Sequence, residues 1–231
     1  MRRIIYLFLL FIISGSKLIA QCTIVPVGPA DSNMADFNAS GRGTLAMDKH
    51  GNPFVLYNEY YQLSTYNAVV RKFTNNKWSP VGSPDFINDQ TLNDMTIDKY
   101  GTPYVVVEDG SVGNKATVMK YNGTSWVLVG TKGFTAGTAL RPKIAVDTIG
   151  TPYVIYTDVL NSSKANVMKF NGTSWVNVGN ADFSSSSITY SSITFSSTDT
   201  LYVAFSLNNG SGGGISVMKF NGTSWKSAAP I

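Results

Sequence analysis

The sequence is poor in the side chains that enzymes and metal sites use most often. Its 231 residues include one cysteine, Cys22, and one histidine, His50. A single cysteine cannot form an internal disulfide, and the chain has no cysteine and histidine cluster with the spacing of a metal site. His50 stands beside Gly51 in a predicted turn, where a histidine-based catalytic set is not expected. We therefore expect a protein without catalysis, cofactor or bound metal.

Charged residues are also scarce and scattered. They make up 14% of the chain, and the formal net charge is +4. Three of the bases lie in the first 20 residues, and the rest of the chain carries 15 basic and 14 acidic side chains. No basic stripe remains, so no nucleic-acid partner is expected.

One long apolar run is present, and it lies at the N-terminus. Met1-Arg2-Arg3 is followed by an apolar stretch from Ile4 to Ile13 and by the small residue Ala20. This order predicts a signal peptide over residues 1–20. The run is about half the roughly twenty residues needed to cross a bilayer. We therefore expect a secreted or cell-surface protein without a membrane span.

A repeat dominates the rest of the chain. The stretch Val167–Trp175 recurs almost unchanged at residues 118–126 and 217–225, and in degraded form at residues 71–78. The repeated tryptophans are Trp78, Trp126, Trp175 and Trp225, at intervals of 48, 49 and 50 residues. A period of this length is typical of a repeat architecture.

Each repeat reads as four short strands. In the third repeat they are Lys143–Asp147, Pro152–Asp158, Ala165–Phe170 and Trp175–Val178, and the second is apolar throughout its centre. Such a strand is expected to be buried on both faces. The Asn171-Gly172 pair predicts a tight hairpin in which both residues adopt positive φ. Four antiparallel strands in each repeat predict an all-β fold, a β-propeller rather than stacked sandwiches or a solenoid.

The hairpin with an aromatic residue five positions before tryptophan resembles the strand-three to strand-four hairpin of kelch-type blades. It is also similar to blades of secreted bacterial propellers and fucose-specific lectins, over residues 23–231. The chain departs from kelch in lacking a Gly-Gly pair after strand two. It departs from the sialidase Asp-box because Met168 and Phe170 stand where Ser and Asp belong. The resemblance therefore implies a blade and does not imply sialidase catalysis.

The repeats divide the chain into a signal peptide (1–20), an N-terminal strand and linker (21–44) and four blades (45–91, 92–140, 141–189 and 190–231). Residues 23–28 resemble the fourth strand of the first blade at residues 78–82. The chain thus has five candidates for a fourth strand and only four sets of the other three. This surplus predicts a partial or open propeller, with exposed edges through which the protein self-associates.

The two faces of such a propeller differ in sequence. Turns between strands one and two and between strands three and four repeat closely, and we call their side the repeated face. The loops at 58–67, 108–115, 157–164 and 206–214 differ in every blade, and their side is the variable face. Varied loops on a repeated scaffold usually carry binding.

Six residues on the variable face are candidate ligand contacts. They are three acids placed five residues after the strand-two aromatic and three tyrosines of the first blade: Glu59, Asp109, Asp158, Tyr60, Tyr61 and Tyr66. The acids would hydrogen-bond sugar hydroxyls or hold Ca²⁺, and the tyrosines would stack on a sugar. The alternative is that the acids only end their strands and some of the tyrosines pack on a neighbouring blade.

The repeated residues are interpreted as structural. They are the four tryptophans, which would pack between blades, and the hairpin glycines Gly123, Gly172 and Gly222. Asp48, Asp98 and Asp147 would begin tight turns. The sequence predicts a secreted, non-catalytic propeller that binds an extracellular glycan or protein. The alternatives are a glycan-processing enzyme with acids around the channel, and a structural fragment of a larger propeller.

Overall fold

The structure, a computed structural model, describes residues 39–61, 65–84, 86–87, 90–208 and 213–228. The predicted signal peptide, the fourth-strand candidate at 23–28 and residues 229–231 lie outside the described residues. The described chain forms four sheets of four antiparallel strands, each in the sequential order one to four. The prediction of an all-β fold built from four-stranded blades is confirmed.

The strands are numbered β1 to β16 along the chain. Blade 1 consists of β1 (Ala39–Met47), β2 (Pro53–Tyr61), β3 (Thr65–Thr74) and β4 (Lys77–Pro80). Blade 2 consists of β5 (Gln90–Ile97), β6 (Pro103–Asp109), β7 (Lys115–Tyr121) and β8 (Trp126–Leu128). Blade 3 consists of β9 (Ala139–Val146), β10 (Pro152–Asp158), β11 (Lys164–Phe170) and β12 (Trp175–Asn177). Blade 4 consists of β13 (Ser187–Phe195), β14 (Leu201–Asn208), β15 (Gly214–Phe220) and β16 (Trp225–Ser227). Short 3₁₀ turns, Gly110–Val112 and Val159–Asn161, follow β6 and β10.

The first strand of every blade begins a few residues earlier than the predicted blade boundary. Each of these strands contains a bulge, where the pairing register with the second strand shifts. A bulge breaks the alternation of apolar and polar residues by which a strand is recognised in sequence. The boundaries expected at 45, 92, 141 and 190 therefore fall inside strands that continue through the bulge.

The first strands form the inner edge of the assembly. β1 packs against β5, β5 against β9, and β9 against β13. The hydrophobic core lies between successive sheets, and the second strands contribute to two such layers. Val105 faces blade 1 while Val106 faces blade 3, and both are fully buried. The expectation that strand two is buried on both faces is confirmed for β6 and β10, whereas β14 in blade 4 alternates between buried and half-buried residues.

In blades 2 to 4 the repeated tryptophan joins the blade to the one before it. The indole Nε1 of Trp175 donates to the carbonyl oxygen of Val129 at 2.8 Å, and its ring stacks on Phe134 at 4.1 Å. Trp126 and Trp225 make the same contacts, with Val81 and Phe86 and with Val178 and Phe183 respectively. These three tryptophans therefore have the inter-blade role that the sequence suggested. The ring of Trp78, in blade 1, lies 5.2 Å from that of Phe73.

The hairpin at Asn171-Gly172 has its turn one residue later than predicted. The Asn171 amide donates to the Ser174 carbonyl at 3.0 Å, so Gly172 and Thr173 are the central residues of the turn. Gly172 has a φ of +99°, while Asn171 is not in the positive region. The side chain of Asn171 accepts hydrogen bonds from the backbone amides of Thr173 and Ser174, which stabilises the turn.

A two-residue turn with both φ angles positive occurs instead in the degraded first copy. Asn75 and Asn76 have φ angles of +51° and +58° and lie between the paired residues Thr74 and Lys77. The loop length between the aromatic residue and the tryptophan is the same in both hairpins. The prediction of a hairpin was therefore right, but the turn with two positive φ angles was assigned to the wrong copies.

The turn role of the repeated aspartates is seen directly. Asp48 Oδ1 accepts hydrogen bonds from the backbone amides of His50 and Asn52, two and four residues later. Asp98 and Asp147 do the same. In blade 4 the hydroxyl of Ser196 takes this position, a substitution that the aspartate pattern did not anticipate.

The described blades form an open arc. Ala165 on β11 is fully buried by blade 4, whereas the equivalent Ile215 on β15 is 77% exposed. At the other end Leu45 on β1 is 67% exposed, while the equivalent Met95 on β5 is buried against blade 1. Blade 4 therefore presents an outer face that blades 2 and 3 bury, and blade 1 presents the complementary face.

A pair of glycine variants measures the contribution of the blade junction. Gly130 and Gly123 both have positive φ, but a Cβ at Gly130 would lie 2.8 Å from Phe170 Cε2, whereas nothing lies within 4 Å at Gly123. Gly130→Ala and Gly123→Ala share the backbone strain, and we expect Gly130→Ala to lower the free energy of unfolding by about 1–3 kcal/mol more. Denaturant unfolding measures both, and equal losses would show that the junction does not limit stability.

Candidate functional site

The acid predicted to contact a ligand in blade 2 is fully buried. Asp109 Oδ1 accepts hydrogen bonds from the backbone amide and the hydroxyl of Ser111, and Oδ2 accepts one from the Thr117 hydroxyl. The Lys132 ammonium lies 3.5 Å from the same carboxylate. The side chain folds back on its own loop because strand β6 ends at Asp109 and the backbone turns there. Asp109 is therefore a structural residue that holds the loop after β6.

Asp158 occupies the same place in blade 3. It is buried, its Oδ1 accepts a hydrogen bond from the Leu160 amide, and its Oδ2 accepts one from Asn161 Nδ2. The acids that the sequence offered as ligand contacts in blades 2 and 3 are thus buried, because both cap the short turns that follow their strands.

Blade 1 retains the other predicted residues. Glu59 lies on β2 and is half-buried, with Ala39 and Asn67 as its strand partners. Tyr60 pairs with Tyr66, and Tyr61 with Thr65, so these residues extend the β2–β3 hairpin on the variable face. The side chains of Tyr60, Tyr61 and Tyr66 lie outside the described residues. Their position on that face agrees with the sequence prediction, while their contacts stay a prediction.

A second group of residues, not singled out in the sequence, gathers on the inner edge of the arc near the variable face. We call it the inner-rim cluster, and its members are Asp94, Glu108, Arg141, Lys143 and Tyr190. The backbone amide of Arg141 donates to Glu108 Oε1 at 2.7 Å. Its Nη1 donates to the Thr189 carbonyl at 3.2 Å, and its guanidinium carbon lies 5.2 Å from the centre of the Tyr190 ring. The cluster therefore spans blades 2, 3 and 4.

The bulge in β9 is what places Arg141 at this edge. Arg141 has a φ of +49°, an unusual conformation for a residue with a side chain. Backbone strain of this kind costs about 1–3 kcal/mol and concentrates at binding and catalytic sites. The bond from its amide to Glu108 compensates part of this cost, and the bond from its Nη1 to the Thr189 carbonyl restrains the side chain.

Asp94 on β5 and Lys143 on β9 form the second part of the cluster. Asp94 Oδ2 accepts from the Ile144 amide at 3.0 Å, and Lys143 Nζ lies 3.7 Å from Oδ1. Burial raises the pKa of Asp94, and the nearby Lys143 charge with the hydrogen bonds offsets only part of the rise. Because the folded-state pKa is raised, this group favours folding at acid pH, and the contribution is lost as the pH rises through the folded-state pKa.

A signal for this cluster was available in the repeat itself. Leu92, Arg141 and Tyr190 each stand six residues before the turn residue of their blade, at Asp98, Asp147 and Ser196. Asp94, Lys143 and Ser192 each stand four residues before it. The first of these positions thus changes from apolar to charged and to aromatic, and the second changes from acidic to basic and to a hydroxyl. Our sequence reasoning compared the loops and the second strands, so it missed them.

The cluster offers chemistry suited to a polyhydroxylated ligand. The Tyr190 side chain is 59% exposed and carries a guanidinium against its ring. Aromatic rings supply apolar contact area, and fixed charged groups supply hydrogen bonds that orient a ligand. The carboxylates of Glu108 and Asp94 also make hydrogen bonds within the chain, which restrains their positions.

Grooves between blades on the repeated face are the competing location. One groove of about 650 Å³ is lined by residues of the β5–β6 turn and the β7–β8 hairpin, including Tyr100, Lys120 and Asn122. Tyr100 is exposed, and Lys99 Nζ lies 4.9 Å from its ring centre. The groove between blades 2 and 3 is built from the equivalent hairpin residues Lys169, Asn171 and Gly172. Most of the lining residues belong to the repeated turns and hairpins. The grooves are therefore accounted for by the repeat itself, and no ligand is needed to explain them.

In the described part of the chain no three His, Cys, Asp or Glu side chains are grouped closely enough to hold a metal ion. Its helical segments include none with the length and apolar character needed to cross a bilayer.

Comparison with known proteins finds likeness in structure alone. No protein-family model matches the sequence, and a search of curated proteins finds no relative. A Dyadobacter fermentans protein of unknown function matches with a TM-score of 0.57 and 13% identity, over 82% of this chain and 69% of that one. Trypanosoma rangeli sialidase in complex with the inhibitor DANA matches with a TM-score of 0.57 and 12% identity, over 76% of this chain. A mutant of the Aleuria aurantia lectin in complex with Fucα1-6GlcNAc matches with a TM-score of 0.53 and 14% identity, over 89% of this chain.

These matches fix the fold and not the activity. The chain spans 31% of the sialidase chain and 63% of the lectin chain. Identities this low are shared by lectins and hydrolases alike, since one fold hosts many functions. The described blades are those of an open β-propeller.

The structural role assigned to Asp109 predicts a loss of stability when it is removed. Asp109→Ala would leave the Thr117 hydroxyl and the Ser111 groups without their acceptor, costing about 1–3 kcal/mol for buried donors. Glu59→Ala, at the half-buried equivalent position of blade 1, is the matched variant and should cost less. Thermal and denaturant unfolding measure both. A larger loss from Glu59→Ala would contradict the structural role of Asp109.

Proposed function

We propose that the protein is a secreted or cell-surface β-propeller that binds an extracellular glycan without catalysis. The observation that carries this proposal is the inner-rim cluster, where the exposed Tyr190 ring meets the Arg141 guanidinium. The guanidinium donates to the Thr189 carbonyl, and the backbone amide of Arg141 donates to Glu108. Glu59, Tyr60, Tyr61 and Tyr66 extend the same variable face in blade 1 and are included in the proposed binding surface.

The chemistry of the cluster favours a sugar over a flat apolar ligand. A sugar ring presents C–H groups on its faces and hydroxyls on its edge, so it needs an aromatic surface beside several hydrogen-bond donors and acceptors. Tyr190, Arg141 and Glu108 supply these along the inner edge of blades 2 to 4. The likeness in fold to a lectin in complex with a fucose-containing disaccharide supports this proposal. An extracellular protein is the second ligand class that such a face would accept.

Glycan processing is the alternative from another class, and Asp94 is the observation that favours it. A carboxyl with a raised pKa on the inner edge has the property of a general acid. The proposal of a non-catalytic protein is preferred because Asp94 accepts the Ile144 amide and lies by Lys143, while Glu108 accepts the Arg141 amide. Release of reducing sugar from an array-positive glycan, lost in Asp94→Asn, would establish the enzyme instead.

Two exposed tyrosines on opposite faces provide the test. A glycan array with the wild-type protein identifies the ligand, and titration calorimetry then compares Tyr190→Ala with Tyr100→Ala. Each ring has a cationic side chain against it, so the substitutions are chemically matched. We expect Tyr190→Ala to weaken binding at least tenfold, while Tyr100→Ala leaves it unchanged. The reverse result would move the site to the repeated-face groove, and no binding on the array would leave the glycan proposal without support.

We also propose that the open ends of the arc pair with a second copy. The outer face of blade 4 exposes Ile215 and Val217, whose equivalents Ala165 and Val167 are buried by the next blade. The face of blade 1 that exposes Leu45 is the equivalent of the surface that receives them. Within the chain, each blade packs the equivalent of the first surface against the equivalent of the second. The free surface of blade 4 is therefore expected to pack against blade 1 of a second copy, head to tail.

This association should depend on the apolar residues of blade 4. The double variant Ile215→Lys and Val217→Lys places two charges on the proposed interface, whereas Ile149→Lys places one at an exposed turn of the repeated face. We expect wild type and Ile149→Lys to associate with rising concentration in sedimentation velocity, and the double variant to stay monomeric. A wild-type protein that is monomeric at all concentrations would contradict the proposal.

A further inference from the structure

The groove between blades 2 and 3 on the repeated face carries positive charge without a matching acid. It has a volume of about 490 Å³ and is bounded by strand β7, by the β9–β10 turn and by the β11–β12 hairpin. Lys120 and Lys169 line it, and the described residues that do so include no aspartate or glutamate. The chain after residue 20 carries 15 basic and 14 acidic side chains. The charge of the groove is therefore local and does not follow from the overall composition.

The two lysines occupy one position of the repeat, the residue of the third strand that pairs with the first aromatic residue of the second. Lys72 has the same position in blade 1, and there its ammonium lies 3.1 Å from the Asp48 carboxylate. Neither Lys120 nor Lys169 makes an ion pair with another described residue. Blade 1 thus neutralises its lysine internally, whereas the groove lysines keep their charge for a ligand.

The acids of the neighbouring turns are used by the backbone. Asp147 Oδ1 accepts hydrogen bonds from the amides of Ile149 and Thr151, two residues that line the groove. Asp98 makes the equivalent pair of bonds in blade 2 and is buried. These bonds explain why the turns are repeated, but they do not account for the two lysines.

The hairpin of blade 3 adds a third donor. Asn171 lines the groove, and its Oδ1 accepts the backbone amides of Thr173 and Ser174 at 3.0 and 2.9 Å. Because an amide nitrogen cannot accept such bonds, they fix the orientation of the side chain, and Nδ2 keeps both of its N–H donors. Within the described residues Nδ2 has no acceptor. The nitrogen-bearing side chains of the groove therefore all present donors, as an anion requires.

The adjoining groove, between blades 3 and 4, differs by one acid. It has a volume of about 400 Å³, and its lining includes Lys169, Lys219 and Asp199. Asp199 has a φ of +59° and occupies the turn position that Gly150 has in blade 3. Its carboxylate accepts hydrogen bonds from the amide and the hydroxyl of Thr148. One groove therefore contains a carboxylate, and in the other the same place is left open by glycine.

We propose that the groove between blades 2 and 3 binds an acidic polysaccharide, with a carboxylate or sulfate group of the polymer between Lys120, Lys169 and Asn171. Two ammonium groups and an amide supply the charge-assisted bonds that hold such a group. The groove has the size of a site for a small organic molecule and is larger than a single anion needs, so it also accommodates the sugar that bears the charge. This site is separate from the inner-rim cluster and does not depend on the proposed glycan site there.

The first test uses the two lysine positions. Titration calorimetry compares oligogalacturonate, dextran sulfate and neutral dextran of matched size, and we expect one or both acidic ligands to bind and neutral dextran not to bind. Lys169→Gln should weaken binding by at least about fivefold, because it removes a charged donor. Lys72→Gln removes the same charge from the same position of blade 1 and should change the affinity by less than about twofold. Added salt should weaken wild-type binding, because it screens exposed charges.

A second pair of variants places a carboxylate in the groove and leaves the lysines intact. Gly150→Asp copies the residue of blade 4, and Gly51→Asp makes the same change in the turn of blade 1. Both glycines have a positive φ, and no atom lies closer than 4 Å to a Cβ at either position except Tyr100 Cε2, at 4.0 Å from Gly150. The variants thus share backbone strain and net charge. We expect Gly150→Asp to weaken binding at least about tenfold through like-charge repulsion, and Gly51→Asp to change it less than about twofold.

Thermal unfolding checks that each variant is folded, and four outcomes would overturn the proposal. They are no binding of either acidic ligand, equal losses within each matched pair, tighter binding of anionic lipid vesicles or duplex DNA, and loss of binding in Tyr190→Ala. Equal losses would show a general response to charge. A loss in Tyr190→Ala would place the acidic ligand at the inner-rim cluster. Unchanged binding in Tyr190→Ala is expected, so the two sites can fail or succeed separately.

Discussion

The indole N–H that crosses each blade boundary is the interaction on which the described fold depends. In blades 2 to 4 it donates to a valine carbonyl of the preceding blade, while the ring stacks on a phenylalanine of the connecting loop. The bond satisfies a carbonyl that follows a short fourth strand, and the stacked rings cover the apolar layer beneath it. Neither element can be changed in one blade without disturbing the next, so the hairpin repeats almost letter for letter.

The same constraint separates the two faces of the molecule. The turn residues and the tryptophan hairpin lie on the repeated face, where the blade junction requires the same residues in every repeat. The loops at the other ends of the strands make no such contact and differ from blade to blade. Blade 2 closes its loop with Lys132, whereas blade 3 has Ala181 and a second acid at the equivalent place. The inner-rim cluster arises from the same freedom, because the bulged first strands carry different side chains in each blade.

Much of the fold was predictable from sequence, and much of the site was not. The spacing of the tryptophans, the apolar second strands and the turn aspartates are local or repetitive patterns, and such patterns can be read from the sequence alone. Asp109 and Asp158 illustrate the failure, since an acid after a strand has the same sequence signature whether it faces solvent or caps a buried turn. Arg141 illustrates the converse, since a bulge and a positive φ leave little trace in the residue pattern.

The sequence by itself determined the blade, because four strands, their turns and the tryptophan junction rest on contacts within one repeat and its neighbour. Only the tertiary structure decided which side chains meet across blades. The pairing of Arg141 with Glu108 and Tyr190 joins three repeats, and the open ends at Leu45 and Ile215 depend on the curvature of all four. Contacts between residues about 50 positions apart are set by packing geometry, and the residue pattern of a single blade does not encode them.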